Sequence, residues 1–214
     1  MPYGYLGTTP NQQLNNSGVF SVEEALSLQK VGELGGSLEL IESQTVSSVS
    51  QIIFDEIQEA KYDVHFLQIT NFQQDGANNY GMRWLLSNDG GSSYETSNYA
   101  MAYYERGPDG TTSDNKDTAR AHFQNTITTA DKDSSANSVG AGYYYIYNMG
   151  HSDKYTFQTG QSMSGLGSSV GASFGGATYK VAETINAFKF DDWGTGYNIW
   201  GTFNLYGVKQ LWVI

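Results

Sequence analysis

The spacing of apolar residues along the chain changes early. After an opening of Gly, Asn, Gln and Thr, Ser21 heads a segment in which Val22, Leu26 and either Leu28 or Gln29 recur at helical spacing. Glu24 stands three positions after the Ser21 hydroxyl, as in a capping box, and Gly32 or the Gly35/Gly36 pair stops the run. One short helix is predicted there. From residue 37 onward the period is two, and strands are predicted at 37–41, 51–57 and 62–70, the last carrying apolar residues on both faces.

Residues 80–87 alternate, with Tyr80, Met82, Trp84 and Leu86 on one face, and Asn88-Asp89-Gly90-Gly91 follows as a turn that tolerates positive φ. Residues 98–105 read as the returning partner, which makes 80–105 a hairpin with an irregular tip. A polar surface loop is expected at 106–118, a half-buried strand at 119–128 and an exposed loop at 131–137. Aromatic-rich strands are expected at 141–149 and 155–157, since aromatic residues favour pleated surfaces. The glycine-rich stretch 160–176 reads as a long loop or loose edge, 179–181 resumes the sheet, and the closing strands are 184–190 and 198–208.

Roughly eight to ten short strands separated by turn signals, without alternating helices, predict an all-β fold, an antiparallel jelly-roll-type β-sandwich. It carries one short N-terminal helix and an extended N-terminal arm. Residues 1–36 form the arm and helix, and residues 37–214 form the sandwich. No fixed repeat points to a propeller or a β-helix.

Composition narrows the function. Apolar residues make up 39% of the chain and aromatic residues 14%, enough for a core, so the disordered class is excluded. With 22 Asp+Glu against 11 Lys+Arg, the chain lacks the basic clusters that neutralise phosphates, and no nucleic-acid partner is expected. The absence of Cys removes disulfides, thiolate metal sites and Cys nucleophiles. The first residues, Met1-Pro2-Tyr3-Gly4-Tyr5-Leu6-Gly7, lack the basic and apolar regions of a secretory leader. Apolar runs such as Ile52-Ile53-Phe54 fall far short of the roughly 20 residues a membrane helix needs, so a soluble chain without membrane insertion is expected.

Few residues carry a catalytic pattern. His151-Ser152-Asp153 holds the residue types of a hydrolytic triad, but neighbours in sequence point to opposite sides and cannot form the relay, so a polar turn is expected. His65 and His122 lack a second ligand at metal spacing and read as surface or interface residues. Asp131-Lys132-Asp133-Ser134-Ser135-Ala136-Asn137 begins like a calcium loop, yet Ala136 takes the place of the turn glycine and Gly142 that of the bidentate Glu, so a solvated loop is expected, with a weak ion site as the lesser reading. No metal and no cofactor are expected. Gly165-Leu166-Gly167 lacks the strand and helix of a dinucleotide fingerprint. Asp55, Glu56, Glu59, Glu95, Glu105 and Asp191 are acids from which a glycosidase would draw its pair, and no spacing singles one out.

The unusual feature is aromatic residues near turns, namely Tyr94, Tyr99, Tyr103, Tyr104, Trp193, Tyr197 and Trp200. Rings beside amides suit stacking on sugars or on a protein partner, and others of them belong to the core. Tyr94, Tyr99, Trp193 and Tyr197 are the candidate ligand or partner contacts.

Ser17-Gly18-Val19-Phe20-Ser21-Val22-Glu23-Glu24-Ala25, followed by Gly35-Gly36-Ser37-Leu38-Glu39-Leu40-Ile41, resembles the leader of structural proteins of tailed phages, marine ones in particular. The end, Ile185-Asn186-Ala187-Phe188-Lys189-Phe190 and Asn198-Ile199-Trp200-Gly201-Thr202-Phe203-Asn204-Leu205-Tyr206-Gly207-Val208-Lys209, resembles their closing strands. The resemblance implies a non-enzymatic virion structural protein, a tail fibre or head decoration, assembled in the host cytoplasm as a homotrimer with a jelly-roll body. Its partners would be itself, other virion proteins of capsid, portal or tail, and a host surface glycan or protein. Tyr3, Tyr5, Leu6, Leu14, Val19 and Phe20, apolar side chains with no element of their own to bury them, would anchor the arm on the particle. The alternative is a carbohydrate-binding or carbohydrate-active protein on the same scaffold.

Overall fold

The computed structural model describes residues 23, 37–75, 82–124, 139–166, 169–191 and 196–209. The chain divides into two compact units, Met1–Gly36 and Ser37–Ile214. Glu23 is helical, and the rest of the expected helix lies outside the described residues, as do Tyr3, Tyr5, Leu6, Leu14, Val19 and Phe20.

Twelve strands occupy the described residues of the second unit. They are β1 Leu38–Val49, β2 Gln51–Phe54, β3 Val64–Gln74, β4 Arg83–Ser87, β5 Tyr99–Arg106, β6 Thr112–Arg120, β7 Phe123–Gln124, β8 Gly140–Tyr147, β9 Thr156–Leu166, β10 Ser169–Tyr179, β11 Ala187–Asp191 and β12 Ile199–Val208. Eight form one sheet in the order β1-β12-β3-β8-β9-β10-β5-β6, and four form a second in the order β2-β11-β4-β7. Every neighbouring pair is antiparallel. The protein is an all-β antiparallel sandwich.

Period-two alternation builds the core. On β12 it is unbroken, with Ile199, Gly201, Phe203 and Leu205 buried and Trp200, Thr202, Asn204 and Tyr206 half exposed. Leu67 and Ile69 of β3 and Tyr144 and Ile146 of β8 extend that buried face. The small sheet answers with Ile52, Phe54, Trp84, Leu86, Phe188 and Phe190, all buried. Trp84 meets Tyr144 edge-on at 5.9 Å between ring centroids, and Phe190 meets Phe203 at 5.8 Å, so rings from the two sheets interlock.

Three sequence expectations are corrected. The 80–105 segment is no hairpin, because β4 pairs with β11 and β7 in the small sheet while β5 pairs with β10 and β6 in the large one. The turn residues serve a crossing between sheets instead. Asp89 accepts the Ser93 amide at 2.8 Å, the Gly90 amide donates to the Asn186 Oδ1 at 2.8 Å, and the intervening segment changes layers.

Stretch 160–176 is the β9–β10 hairpin in the middle of the large sheet, paired from Leu166↔Ser169 to Thr156↔Tyr179. Its glycines answer a shortage of space. A Cβ at Gly160 would stand 2.3 Å from the Tyr144 ring and 2.4 Å from the Tyr143 carbonyl oxygen, and one at Gly175 would stand 2.4 Å from the Ala102 carbonyl oxygen. The expected polar loop at 106–118 contains most of β6, whose Asp, Lys and Arg suit a solvated sheet edge.

His65 and His122 are also corrected, from surface or interface residues to buried ones. His65 lies on the inner face of β3, where its Nε2 donates to the Ile57 carbonyl oxygen at 2.8 Å. Burial pushes both imidazoles down to about 4, and for His122 the nearby Arg120 and Arg83 charges add to the effect.

Candidate interaction face

The small sheet covers one side of the large sheet, and the other side faces outward with register alignment that carries its outer residues into rows. One row runs Tyr206 (β12), Phe66 (β3), Tyr145 (β8), Thr159 (β9), Gly176 (β10), Ala102 (β5) and Lys116 (β6). The next runs Asn204, Gln68, Tyr143, Gln161, Phe174, Tyr104 and Asp114 over the same strands. Directly opposed residues on one face of a sheet are neighbours, so these rows are continuous surfaces.

Their first halves carry rings. Phe66 lies 5.0 Å from Tyr145, 6.0 Å from Tyr206 and 6.1 Å from Tyr143 between centroids, and Tyr145 stacks on Tyr147 at 6.4 Å. On the other half, Phe174 and Tyr104 pair at 5.6 Å. Between these groups the residues are small. Ala100, Ala102, Gly176 and Thr178, walled by Phe157 and Lys116, line an open depression of about 850 Å³. A second depression of about 530 Å³ lies among Phe66, Tyr143, Met163 and Phe174.

Large apolar side chains stay exposed here: Tyr143 at 38%, Tyr145 at 36%, Phe157 at 43%, Met163 at 58% and Phe174 at 54%. Charge is excluded. The adjacent strands β12, β3, β8, β9 and β10 contain no Asp, Glu, Lys or Arg, although such residues make up 15% of a chain with net charge −11. Acidic and basic side chains gather on the flanking strands, at Glu39 and Glu42 of β1 and at Asp114, Lys116, Asp117 and Arg120 of β6. A neutral, ring-bearing centre with charged margins has the make-up of an interface core and its rim.

The sequence-predicted contacts are not brought together here. Tyr99 is corrected to a core residue, wholly buried, with its ring 4.8 Å from Phe123 and 5.0 Å from Tyr179. Tyr94 is half-buried beneath the Lys189 ammonium at 4.6 Å. Tyr197 is half-buried just before β12, and Trp193 lies outside the described residues. Of the other turn aromatics, Tyr103 is buried, whereas Tyr104 is on the face. Sequence reasoning missed Phe66, Tyr143, Tyr145, Phe157, Met163 and Phe174. The signal available was the charge-free run from Tyr155 to Tyr179, together with ring after ring at period two in Tyr143, Tyr145 and Tyr147.

Three acidic groups have structural partners. Asp191 is gripped by Arg83, and Glu105 is raised above the usual carboxylate range by burial despite a hydrogen bond from Asn115. Glu183 accepts the Tyr179 hydroxyl at 2.7 Å and the Asn88 amide at 2.9 Å. His151 to Asp153 form a turn, in which the His151 Nε2 stands 3.0 Å from Asp63. Among the described residues no group of three His, Cys, Asp or Glu side chains could hold a metal ion, and the Asp131 loop lies outside them.

No family model, curated protein or solved structure matches the chain.

Proposed function

We propose that this protein is a non-enzymatic structural component of a virion, a tail fibre or head decoration. In this reading it docks by its N-terminal arm and acts through the outer face of its large sheet. The observation that carries the reading is that face, whose exposed rings and missing charge suit lasting surface contact rather than turnover. The strand order supports the jelly-roll body implied by the resemblance. Without the hairpins β5–β6 and β9–β10, the sheets reduce to β1-β12-β3-β8 and β2-β11-β4-β7, an eight-stranded double sheet in which successive strands mostly alternate between layers.

The test uses particles that lack the protein. Full-length protein should be incorporated, deletion of residues 1–20 should abolish incorporation, and the sandwich of the deleted protein should keep its far-UV spectrum. Normal incorporation of the truncated protein would overturn the docking role.

A second reading is favoured by the amides between the rings. Gln68, Gln161 and Asn204 share a row with Tyr143, and the Asn204 Nδ2 donates to the Gln68 Oε1 at 3.3 Å, so amides flank the ring on both sides as suits a neutral sugar. In that case the face is a glycan platform, and Tyr143→Ala would abolish retention on an immobilised neutral polysaccharide.

A further inference from the structure

We propose that the outer face of the large sheet joins copies of this chain, with the Phe66, Tyr145 and Tyr206 cluster of one copy seated in the Ala100–Ala102–Gly176 depression of another. The inference rests on the contact reading above and names the occupant of the face.

Area is the first argument. With about 200 Å² per large side chain, the exposures of Tyr143, Tyr145, Phe157, Met163 and Phe174 leave roughly 460 Å² of surface. Half-buried Phe66, Tyr104 and Tyr206 bring the face toward the roughly 800 Å² per partner of a standard stable interface. Roughly 300–600 Å² is the largest apolar patch typical of a monomer.

Charge is the second argument. Two copies, each at −11, repel over most of their surfaces. The five charge-free strands offer a broad region where close approach brings no like charges together, and charge enters the contact only at the far wall of the depression, where Lys116 and Asp117 of β6 stand side by side with opposite sign.

Shape is the third. Both elements of the contact lie in one row of one face: rings on β12, β3 and β8, and small residues on β10 and β5. The ring cluster of one copy thus finds, on an identical chain, a hollow whose row is occupied by the small residues Gly176 and Ala102, with Phe157 and Lys116 at its walls. Lys116 at the far wall of that hollow lies where it can reach over the ring faces.

The experiment uses the full chain and its lack of cysteine. Wild-type protein is measured by light scattering and sedimentation between about 1 and 100 µM, concentrations that span ordinary stable association. Tyr145→Glu and Ala102→Arg are measured beside it. Both positions are exposed on strands, and far-UV spectra establish that the variants remain folded. An oligomer in the wild type, weakened at least about 100-fold by either variant, is the expected result.

Phe66→Cys and Ala102→Cys proteins are then mixed under mild oxidation. The mixed disulfide should form at least about tenfold faster than either homodisulfide, because only that pairing places ring site against hollow. A wild-type oligomer indifferent to both charged variants, or one giving homodisulfides alone, overturns the proposed seating. A wild-type monomer that nonetheless binds particles or an immobilised polysaccharide through Tyr143 overturns self-association and leaves the contact reading standing. A monomer that binds neither removes both.

Discussion

The Arg83 guanidinium grips the Asp191 carboxylate with two parallel hydrogen bonds, Nε to Oδ1 and Nη2 to Oδ2, each 2.6 Å long. The two residues face each other across the β4–β11 pairing, and Lys189 adds its ammonium at 3.2 Å from Oδ2. Burial by itself would raise the Asp191 carboxyl. The bonds and charge of Arg83, helped by Lys189, outweigh it and hold the group below the usual carboxylate range.

Replacing Asp191 with Ala therefore strands a partly buried guanidinium. Breaking a fully buried pair costs about 3–5 kcal/mol, and Arg83 keeps 29% of its side chain exposed, so about 2–3 kcal/mol is expected at pH 7. Because the folded-state value is depressed, the contribution is present above the ordinary 3.8 and is lost as pH falls through the folded-state value. Urea unfolding should show the gap between wild type and Asp191→Ala narrowing below pH 4. A gap that stays constant there would mean that the carboxylate charge is not what stabilises.

Where one face of a strand is buried and the other wet, the sequence reading locates it well, as at β12, where Phe203 and Leu205 alternate with Asn204 and Tyr206. The layer crossing after β4 was hidden, because Asn88-Asp89-Gly90-Gly91 has the residues of a hairpin turn while the contacts that redirect it, such as Asn186 to the Gly90 amide, come from distant sequence. The central hairpin was hidden for a different reason. Glycine signals a turn when read locally, whereas Gly160 and Gly175 are demanded by the Tyr144 ring and the Ala102 carbonyl on neighbouring strands. The candidate face escaped notice because its rings lie on strands that look like core, and only the register reveals that Tyr143 and Tyr145 share the outward side.

The glycines of the central hairpin are separable by experiment. Gly160→Ala forces a methyl into the Tyr144 ring and the Tyr143 carbonyl, an overpacking that costs about 1–3 kcal/mol. Gly165, in the same strand, has nothing within 4 Å of a new Cβ and lacks a positive φ, so Gly165→Ala should be neutral or slightly stabilising. Thermal melts of the two variants should differ clearly. Equal melting temperatures would mean that the strands can separate enough to admit the methyl.

Tyr99 joins the sheets through its hydroxyl, which accepts the Leu86 amide of β4 at 3.0 Å and donates to the Glu95 carbonyl oxygen at 3.2 Å. Burial pushes this phenol well above its ordinary 10. Tyr99→Phe keeps the ring contacts with Phe123 and Tyr179 and removes only the oxygen, leaving the Leu86 amide without that acceptor. A loss of about 1–3 kcal/mol is expected in chemical denaturation. An unchanged midpoint would show that the Tyr99 hydroxyl is not what holds the crossing between β4 and β5.

Acid should destabilise the sandwich through its two buried histidines, opposed in part by Glu42 and Glu105, whose carboxyls burial raises above their ordinary range. His65 is wholly buried, and its loss of hydration brings the imidazole from 6.5 down to about 4; His122 follows the same course. Between pH 6.5 and about 4 the unfolded chain binds protons that the folded chain refuses, so stability falls as pH falls through that window. Each histidine contributes a slope of up to about 1.4 kcal/mol per pH unit. His65→Gln retains a donor for the Ile57 carbonyl and does not titrate. Its unfolding free energy, measured in urea from pH 4 to pH 7, should rise less steeply than that of the wild type, while His122 keeps part of the rise. A slope equal to the wild type's would place the proton uptake elsewhere and remove His65 from the account.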